Sequence, residues 1–255
     1  LHDTPAWPYW TFLSNFYIAG QGAFKNGLVD LSWSLSVEEQ FYVFWSLSVY
    51  FLSPARLKTL ALAIVFVSPL LRYLLVDAGV NYIALHVLSF TRMDTLMTGA
   101  LLALYGRERT LSPKVFLAGF AAFALLTPLI VIPLPTKFAI CVYYTLLSGA
   151  YGCLVGLVVS ASQSGELPWQ RLTRFFEWKP LVHVGLYSYG IYLFHNPLQK
   201  ALQVLFVHRP GFEWLSSVGG QLSFYLLTIG ASALLGGLSY HFYETRWLLL
   251  KDRLR

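Results

Sequence analysis

Two adjacent carboxylates stand near the beginning of a long apolar segment early in the chain. Residues 32–42 read Ser-Trp-Ser-Leu-Ser-Val-Glu-Glu-Gln-Phe-Tyr, and apolar residues predominate from there to Leu52. A charged side chain at membrane depth costs roughly 3 kcal/mol, so such groups usually face a polar interior, where they pair or do chemistry. On a helix, Glu38, Tyr42 and Trp45 share one face. This arrangement makes Glu38 a candidate catalytic acid or base and Tyr42 a candidate substrate-binding residue.

The second carboxylate, Glu39, also has a purely structural interpretation. Ser36 and Glu39 fit the S-x-x-E capping box, in which the glutamate folds back onto the backbone N–H of the serine at the start of a helix. This interpretation explains Glu39 and leaves Glu38 unexplained. Ser36 remains a candidate substrate-binding residue, because no histidine nearby in the sequence could activate it as a nucleophile.

Arg92 and Asp94 form a second pair of ionisable residues, midway along an apolar stretch. Two residues apart, they do not face each other on a helix, so each needs a partner elsewhere in the protein. One interpretation is a structural ion-pair network. The other is a substrate site in which Arg92 binds an anionic group such as a phosphate, with Asp94 beside it. Gly99, further along, is expected to let a neighbouring helix approach closely.

A third candidate group is His195 with its neighbour Asn196. A lone histidine on an apolar helix is more often a core residue than a catalyst. Here Pro197 follows, and a proline inside a helix frees backbone carbonyl groups that can then bind ligands. We therefore expect His195 to be catalytic and Asn196 to bind substrate, whereas His86 has no comparable setting. No His-Glu-x-x-His motif or Cys/His cluster predicts a metal site.

The composition indicates which kind of structure must position these residues. Of the 255 residues, 56% are hydrophobic and only 12% are charged, whereas a soluble domain carries about 25% charged residues. Most of the surface should therefore contact the lipid bilayer. No polar stretch is long enough to enclose a second core, so residues 1–255 are predicted to form a single all-α, polytopic membrane helix bundle.

The hydrophobic segments predict about eight transmembrane helices. A span needs about 20 predominantly apolar residues. The candidate segments are 8–20, 33–52, 57–76, 83–105, 113–133, 138–161, 181–207 and 219–243.

Basic residues are distributed unevenly among the connections between these segments. Twelve Lys and Arg residues fall in one alternating set of connections and three in the opposite set. The positive-inside rule places the first set, including the C-terminus, in the cytoplasm. The net charge of +6 therefore reflects membrane topology and does not indicate binding to nucleic acid. Within the first set, residues 162–180 are expected to include an amphipathic surface helix.

The motifs together resemble the membrane-bound acyltransferase 3 family, the O-antigen acetylase-like proteins. The string at 32–42 is the most specific element. Three weaker elements follow in family order, at 92–101, 187–198 and 240–244. The resemblance covers essentially the whole chain, and it assigns the first of the two carboxylates, Glu38, to the site.

The resemblance also implies a function and a location. Family members transfer an acyl group, commonly acetyl from acetyl-CoA, to hydroxyls of envelope polysaccharides such as lipopolysaccharide or of related glycans. Acyl-CoA would be a donor substrate and not a bound cofactor, and Arg92 would contact a phosphate of that donor. The acceptor would be an envelope glycan or a lipid-linked saccharide, and the protein would lie in the inner (plasma) membrane.

One element of the family pattern has no counterpart here. The family has ten spans, and its principal catalytic histidine lies in the first span, about ten residues after an arginine. No such Arg–His pair occurs near the start of this sequence, which begins with Leu1. We expect two N-terminal spans and the general base to be missing, so that this chain supplies the scaffold and part of the site.

Two other functions remain open from the sequence. A transporter or flippase of a lipid-linked saccharide would use the same intramembrane charges as a translocation path, although no inverted repeat supports it. A non-catalytic membrane scaffold is the other alternative. It predicts that Glu38→Gln and His195→Ala leave envelope acetylation unchanged.

Overall fold

The computed structural model describes residues 5–107, 112–207 and 217–253, and all regular elements within these ranges are helical. Arg109, Arg209 and Arg255, which entered the distribution of basic residues, lie outside the described residues. The α-helices are α1 (Trp7–Trp10), α2 (Ser14–Gln21), α3 (Ser32–Phe51), α4 (Pro54–Asp77), α5 (Tyr82–Val87), α6 (Met93–Gly106), α7 (Pro113–Val131), α8 (Thr136–Ser162), α9 (Leu167–Phe176), α10 (Lys179–Leu202), α11 (Val218–Ser239) and α12 (Thr245–Arg253).

Four stretches of helix in the described part of the chain are long and apolar enough to cross a membrane. They are Pro54–Asp77, Pro113–Val131, Phe138–Ser162 and Val218–Leu250. They coincide with four of the predicted segments, and the all-helical membrane fold class is confirmed. The prediction of about eight spans is not confirmed.

Two of the predicted spans are interrupted. In the segment 8–20, α1 ends at Trp10, α2 begins at Ser14, and Phe12 between them has a positive φ of 55°. In the segment 83–105, α5 ends at Val87 and a 3₁₀ turn, Ser89–Thr91, precedes α6.

The second interruption has an identifiable local cause. The backbone of Leu88 is extended. The hydroxyl of Thr91 lies 2.9 Å from the carbonyl oxygen of Leu85 and 2.7 Å from that of Leu88. A threonine hydroxyl that binds nearby carbonyls competes with helical hydrogen bonds. The break places Arg92 immediately before the first turn of α6.

The chain folds as two compact units that divide between Thr173 and Arg174. In the first unit, α4 packs against α6 and α8, and α7 packs along α8. A buried cluster of Phe41, Ala61 and Met97 joins α3, α4 and α6. This first unit contains both carboxylates of the 32–42 string and the Arg92–Asp94 pair.

In the second unit, α10 packs against α11. A Cβ atom added at Gly190 would lie 2.7 Å from the Cα atom of Gly236. The two backbones therefore meet directly, as they do at small-residue contacts between membrane helices.

The helix expected within 162–180 is present as α9, and the indole N–H of Trp169 in its first turn donates to Glu166 at 3.1 Å. Its position at a membrane surface stays a prediction.

Candidate active site

Arg72 in α4 and Asp94 in α6 form an ion pair, and neither side chain is exposed at all. The pair is bidentate: Nη1 of Arg72 donates to Oδ1 of Asp94 at 3.1 Å, and Nη2 donates to Oδ2 at 2.8 Å. Thr145 in α8 joins it, because its hydroxyl accepts from Nη2 of Arg72 at 2.7 Å and donates to Oδ2 of Asp94 at 2.5 Å. One polar cluster thus connects α4, α6 and α8.

The guanidinium of Arg72 is fully satisfied. Nε donates to the carbonyl oxygen of Cys141 at 2.9 Å, and Nη1 also donates to the carbonyl oxygen of Thr91. With the two carboxylate oxygens and Thr145, five acceptors meet the five N–H donors of the side chain. A buried charge is tolerable only when it is paired and hydrogen-bonded in this way.

This cluster confirms that Asp94 finds its partner elsewhere in the protein and not in Arg92. Because both oxygens of Asp94 are engaged by Arg72 and Thr145, the geometry favours the structural ion pair over direct contact with a substrate. The predicted substrate-binding role of Asp94 stays a prediction.

Arg92 does not join this ion pair, and its guanidinium packs on an aromatic ring. Its Cζ atom lies 3.9 Å from the centre of the Tyr144 ring, within the range of a cation–π interaction. Its Nη1 atom is buried and has no hydrogen-bond partner among the described residues. A buried charged donor with an unmade hydrogen bond is costly, so this atom is suited to a ligand that supplies an acceptor oxygen.

His86 in α5 contacts the same tyrosine. Its Nδ1 atom lies 2.7 Å from the hydroxyl oxygen of Tyr144, and its ring centre lies 4.8 Å from that of Trp33. Tyr144 therefore contacts Arg92 directly, and His86 and Arg72 contact Tyr144. None of Arg72, Tyr144 and His86 was singled out from the sequence. A signal was available for Arg72 alone: it is an arginine inside an apolar segment, and Asp94, inside another, needed a partner of opposite charge.

The capping box at Ser36 is wrong. The α3 helix begins at Ser32, because the 3₁₀ turn Gly27–Leu31 runs directly into it, and Ser36 lies inside the helix. The Ser36 hydroxyl is buried, 2.8 Å from the hydroxyl of Ser14 and 3.2 Å from the carbonyl oxygen of Ser32. It therefore joins α2 to α3, and its substrate-binding role stays a prediction.

The two carboxylates and Tyr42 differ in exposure. Glu38 is half-buried, whereas Glu39 is exposed. Tyr42 is 55% exposed, with its ring edge against Phe41, and Trp45 packs on the buried cluster. Of the two carboxylates, Glu38 is therefore the one held against the protein. The predicted roles of Glu38 and Tyr42 stay predictions.

Gln40 anchors the helix that carries Glu38. Its amide nitrogen donates to the carbonyl oxygen of Phe12 at 2.7 Å and to Oδ1 of Asn15 at 3.0 Å, and its amide oxygen accepts from Ser89. Asn15 donates in turn to the Ser89 hydroxyl at 2.9 Å. This partly buried network fixes α3 against α2 and against the 3₁₀ turn that precedes Arg92.

His195 and Asn196 lie on α10 in the second unit, and both are half-buried. The helix continues through Pro197 to Leu202. Nδ1 of His195 lies 2.5 Å from the carbonyl oxygen of Tyr192. A carbonyl can only accept, so Nδ1 carries the proton and Nε2 presents a lone pair. The catalytic and substrate-binding roles of these two residues stay predictions.

The expectation for Gly99 is wrong. A Cβ atom added at Gly99 would meet no heavy atom within 4 Å, so none of the described helices approaches closely there. The close approaches lie on α8 instead. A Cβ atom added at Gly152 would lie 2.8 Å from the side chain of Thr98, and one added at Gly156 would lie 2.3 Å from the ring of Phe116.

Comparison with known proteins gives relatives of similar sequence. The chain is 27% identical over 233 residues to a putative peptidoglycan O-acetyltransferase, YrhL, of Bacillus subtilis. The alignment covers 83% of this chain and 33% of that protein. It is 27% identical to the peptidoglycan O-acetyltransferase OatA of Listeria monocytogenes, over 84% of this chain and 34% of that protein. It is 26% identical to the O-acetyltransferase OatA of Staphylococcus aureus, over 84% of this chain and 35% of that protein.

The chain thus spans about a third of the length of the curated relatives it matches. No solved structure matches it. Residues 3–237 match the acyltransferase 3 family, described as an acyltransferase domain. The match takes in the 32–42 string, the Arg72–Asp94 cluster and the His195 segment, and the chain belongs to the acyltransferase 3 family.

Proposed function

We propose that this chain is part of a membrane enzyme that transfers an acyl group, in the first instance acetyl, from acyl-CoA to a hydroxyl of a cell-envelope glycan. Family membership and the names of the relatives support acyl transfer to a cell-wall polymer. The single observation that carries the proposal is Arg92, a half-buried cation whose buried Nη1 atom lacks a hydrogen-bond partner among the described residues.

Arg72, which is fully buried, and Arg92, which is half-buried, use their guanidinium groups differently. Arg72 uses all of its donors within the protein, and so it holds α4, α6 and α8 together. Arg92 is held on one side by the Tyr144 ring and keeps a free donor. A guanidinium binds anionic oxygens through paired hydrogen bonds. We infer that Arg92 binds an anionic oxygen of the donor.

The transfer needs a proton acceptor. The acceptor hydroxyl attacks the carbonyl carbon of the thioester, a C–O bond forms, the C–S bond breaks, and the hydroxyl proton passes to a base and then to the thiolate. Glu38, half-buried on the anchored helix α3, and His195, whose Nε2 can accept a proton while Nδ1 lies against the carbonyl oxygen of Tyr192, are our candidates for this base. Ser36, Tyr42, Asp94 and Asn196 remain candidate contacts to the substrates.

The location belongs to the same proposal. Acyl-CoA is made inside the cell, and envelope glycans lie outside the membrane, so the donor must reach the site from the cytoplasmic face. Twelve basic residues in one set of connections and three in the other support a plasma-membrane protein of about eight spans in this chain, with a cytoplasmic C-terminus.

The test is transfer from labelled acetyl-CoA to cell-wall glycan fragments by the full protein that contains this chain. We expect Arg92→Gln to reduce kcat/KM for the donor at least tenfold. The matched control is Arg56→Gln, which removes an exposed cation at the start of α4. The proposal fails if the parent protein transfers no acetyl group to any of a broad set of glycan acceptors.

A further inference from the structure

Two cavities lie side by side between α6 and α8. One has a volume of about 440 Å³ and also borders α7, and the other has a volume of about 320 Å³. Gly99, Leu102 and Val155 line both, so the two form one groove. It follows α6 from Thr95 to Arg107, which is about 18 Å at the helical rise of 1.5 Å per residue. A groove of this length suits an extended chain better than a sugar ring.

Glycines on α6 open this groove. A Cβ atom at Gly99 or at Gly106 would meet no heavy atom within 4 Å. The glycines of α8 at the same groove, Gly152 and Gly156, serve a different purpose, because side chains of α6 and α7 press directly on them. The groove is therefore open along α6, because the glycines there have no side chain to fill it. On α8, by contrast, the glycines allow side chains of α6 and α7 to pack closely.

The two ends of the groove are polar, and the middle is apolar. One end has the cation Arg107 with Gln163, and the middle is lined by Leu102 and Val155. At the other end, the Thr98 hydroxyl lies 2.9 Å from the carbonyl oxygen of Asp94 and 3.2 Å from the Ser148 hydroxyl.

The end of the groove at Thr95 and Thr98 lies next to Arg92. The hydroxyl of Thr95, which lines the groove, donates to the carbonyl oxygen of Arg92 at 2.7 Å. The groove thus ends one helical turn from the residue to which we assign donor binding.

We propose that this groove binds the linear thioester arm of acyl-CoA, with the nucleotide phosphates at Arg107 and the acyl end toward Thr95. The inference rests on the proposed function, because it names the position of the donor in the same enzyme. Arg107 complements the phosphate charge. The hydroxyl oxygens of Thr95, Thr98 and Ser148, whose protons point to backbone carbonyls, can accept from the amide N–H groups of the arm, which cannot be buried unpaired. A lipid tail would use neither the cation nor the hydroxyls.

This position refines the role of Arg92. With the phosphates at Arg107, about 18 Å from Thr95 along α6, the group nearest the Arg92 turn is the thioester carbonyl. Its oxygen becomes anionic during attack by the acceptor hydroxyl. The free Nη1 donor of Arg92 is suited to such an oxygen.

The experiment measures equilibrium binding of labelled acetyl-CoA to the detergent-purified full protein. Gly99→Leu and Gly106→Leu should weaken binding at least tenfold, because each fills the groove. Leucine favours a helix more than glycine does, so the fold should tolerate both. The matched control is Gly230→Leu in α11, where an added Cβ also meets open space. Its binding should equal that of the parent, and all three variants should keep the parent's melting temperature.

A second comparison tests the assignment of Arg107. Arg107→Gln should weaken binding of acetyl-CoA at least fivefold and leave binding of acetyl-pantetheine, which lacks the nucleotide, unchanged. Equal loss for both ligands would contradict the phosphate assignment.

The outcomes separate this inference from the proposed function. If the parent binds and transfers acetyl and Gly99→Leu binds the donor equally well, the groove assignment is overturned and the function stands. If Gly99→Leu instead lowers only the amount of co-purifying phospholipid, the groove holds a lipid tail and the assignment is again overturned. If the parent neither binds acetyl-CoA nor transfers acetyl, both proposals fail.

Discussion

Arg72 and Asp94 meet through two parallel hydrogen bonds, of 3.1 and 2.8 Å, although they lie 22 residues apart and on different helices. The carbonyl oxygen of Thr91, in the turn before α6, accepts from the same guanidinium. The ion pair therefore holds the helix break that brings Arg92 to its position over Tyr144. A buried charge pair is weak evidence for stability in itself, but the hydrogen bonds of Arg72 hold the turn at Thr91 and the start of α6 in place.

Removing one partner of this pair should be costly. Asp94→Ala leaves Arg72 buried with an unmatched charge, and we expect it to lower the free energy of unfolding by about 3–5 kcal/mol. The double variant Arg72→Met/Asp94→Ala should lose less than the sum of the two single losses. Reversible unfolding in detergent micelles gives the free energy of unfolding of the parent, the two single variants and the double variant. Strict additivity of the two single losses would show that the pair has no coupling energy.

The Tyr144 ring should matter more than its hydroxyl for donor binding. Tyr144→Phe keeps the ring under Arg92, whereas Tyr144→Leu removes a cation–π interaction of about 1 kcal/mol. We expect the phenylalanine variant to keep the parent's affinity for acetyl-CoA and the leucine variant to lose about fivefold. Tyr143→Leu, at the neighbouring exposed tyrosine, is the control. A loss in Tyr144→Phe equal to that in Tyr144→Leu would assign the effect to the hydroxyl, which contacts His86 and Tyr82.

The two adjacent carboxylates should differ in their effect on catalysis. Glu38→Gln keeps the shape of the side chain and removes a proton acceptor, so we expect kcat to fall by about 100-fold. Glu39→Gln, on the exposed neighbour, should change kcat by no more than about twofold, because this side chain lies outside the site. Initial rates at saturating donor and acceptor measure both. If the Glu39 variant is the more severely impaired one, Glu38 is not the base.

His195 offers a second test of the proton path. Its Nδ1 lies against the carbonyl oxygen of Tyr192, so His195→Gln removes the proton-accepting Nε2 and should lower kcat by about 100-fold. His183 on the same helix also has Nδ1 against a backbone carbonyl oxygen, at 2.6 Å from that of Lys179. His183→Gln is therefore a matched control. If His195→Gln keeps the same kcat as His183→Gln and the parent, His195 is not one of the candidate bases.

Sequence alone determined the class of this protein and showed that its intramembrane charged residues need interaction partners. The scarcity of charged residues predicted a helical membrane protein, and the spacing of Arg92 and Asp94 required a separate partner for each. Both predictions are confirmed. They succeed because composition and helical periodicity report the average environment of each segment.

The tertiary structure decided which groups meet. The partner of Asp94 lies on another helix, at Arg72, and the ring beneath Arg92 comes from α8. Local contacts also overrode the pattern. The hydroxyl of Thr91 lies against two carbonyl oxygens at the break in a predicted span, and Gly99 faces a groove where a helix contact was expected. A period of 3.6 residues states which side of a helix is apolar, but it does not state which helix, cavity or side chain that side will face.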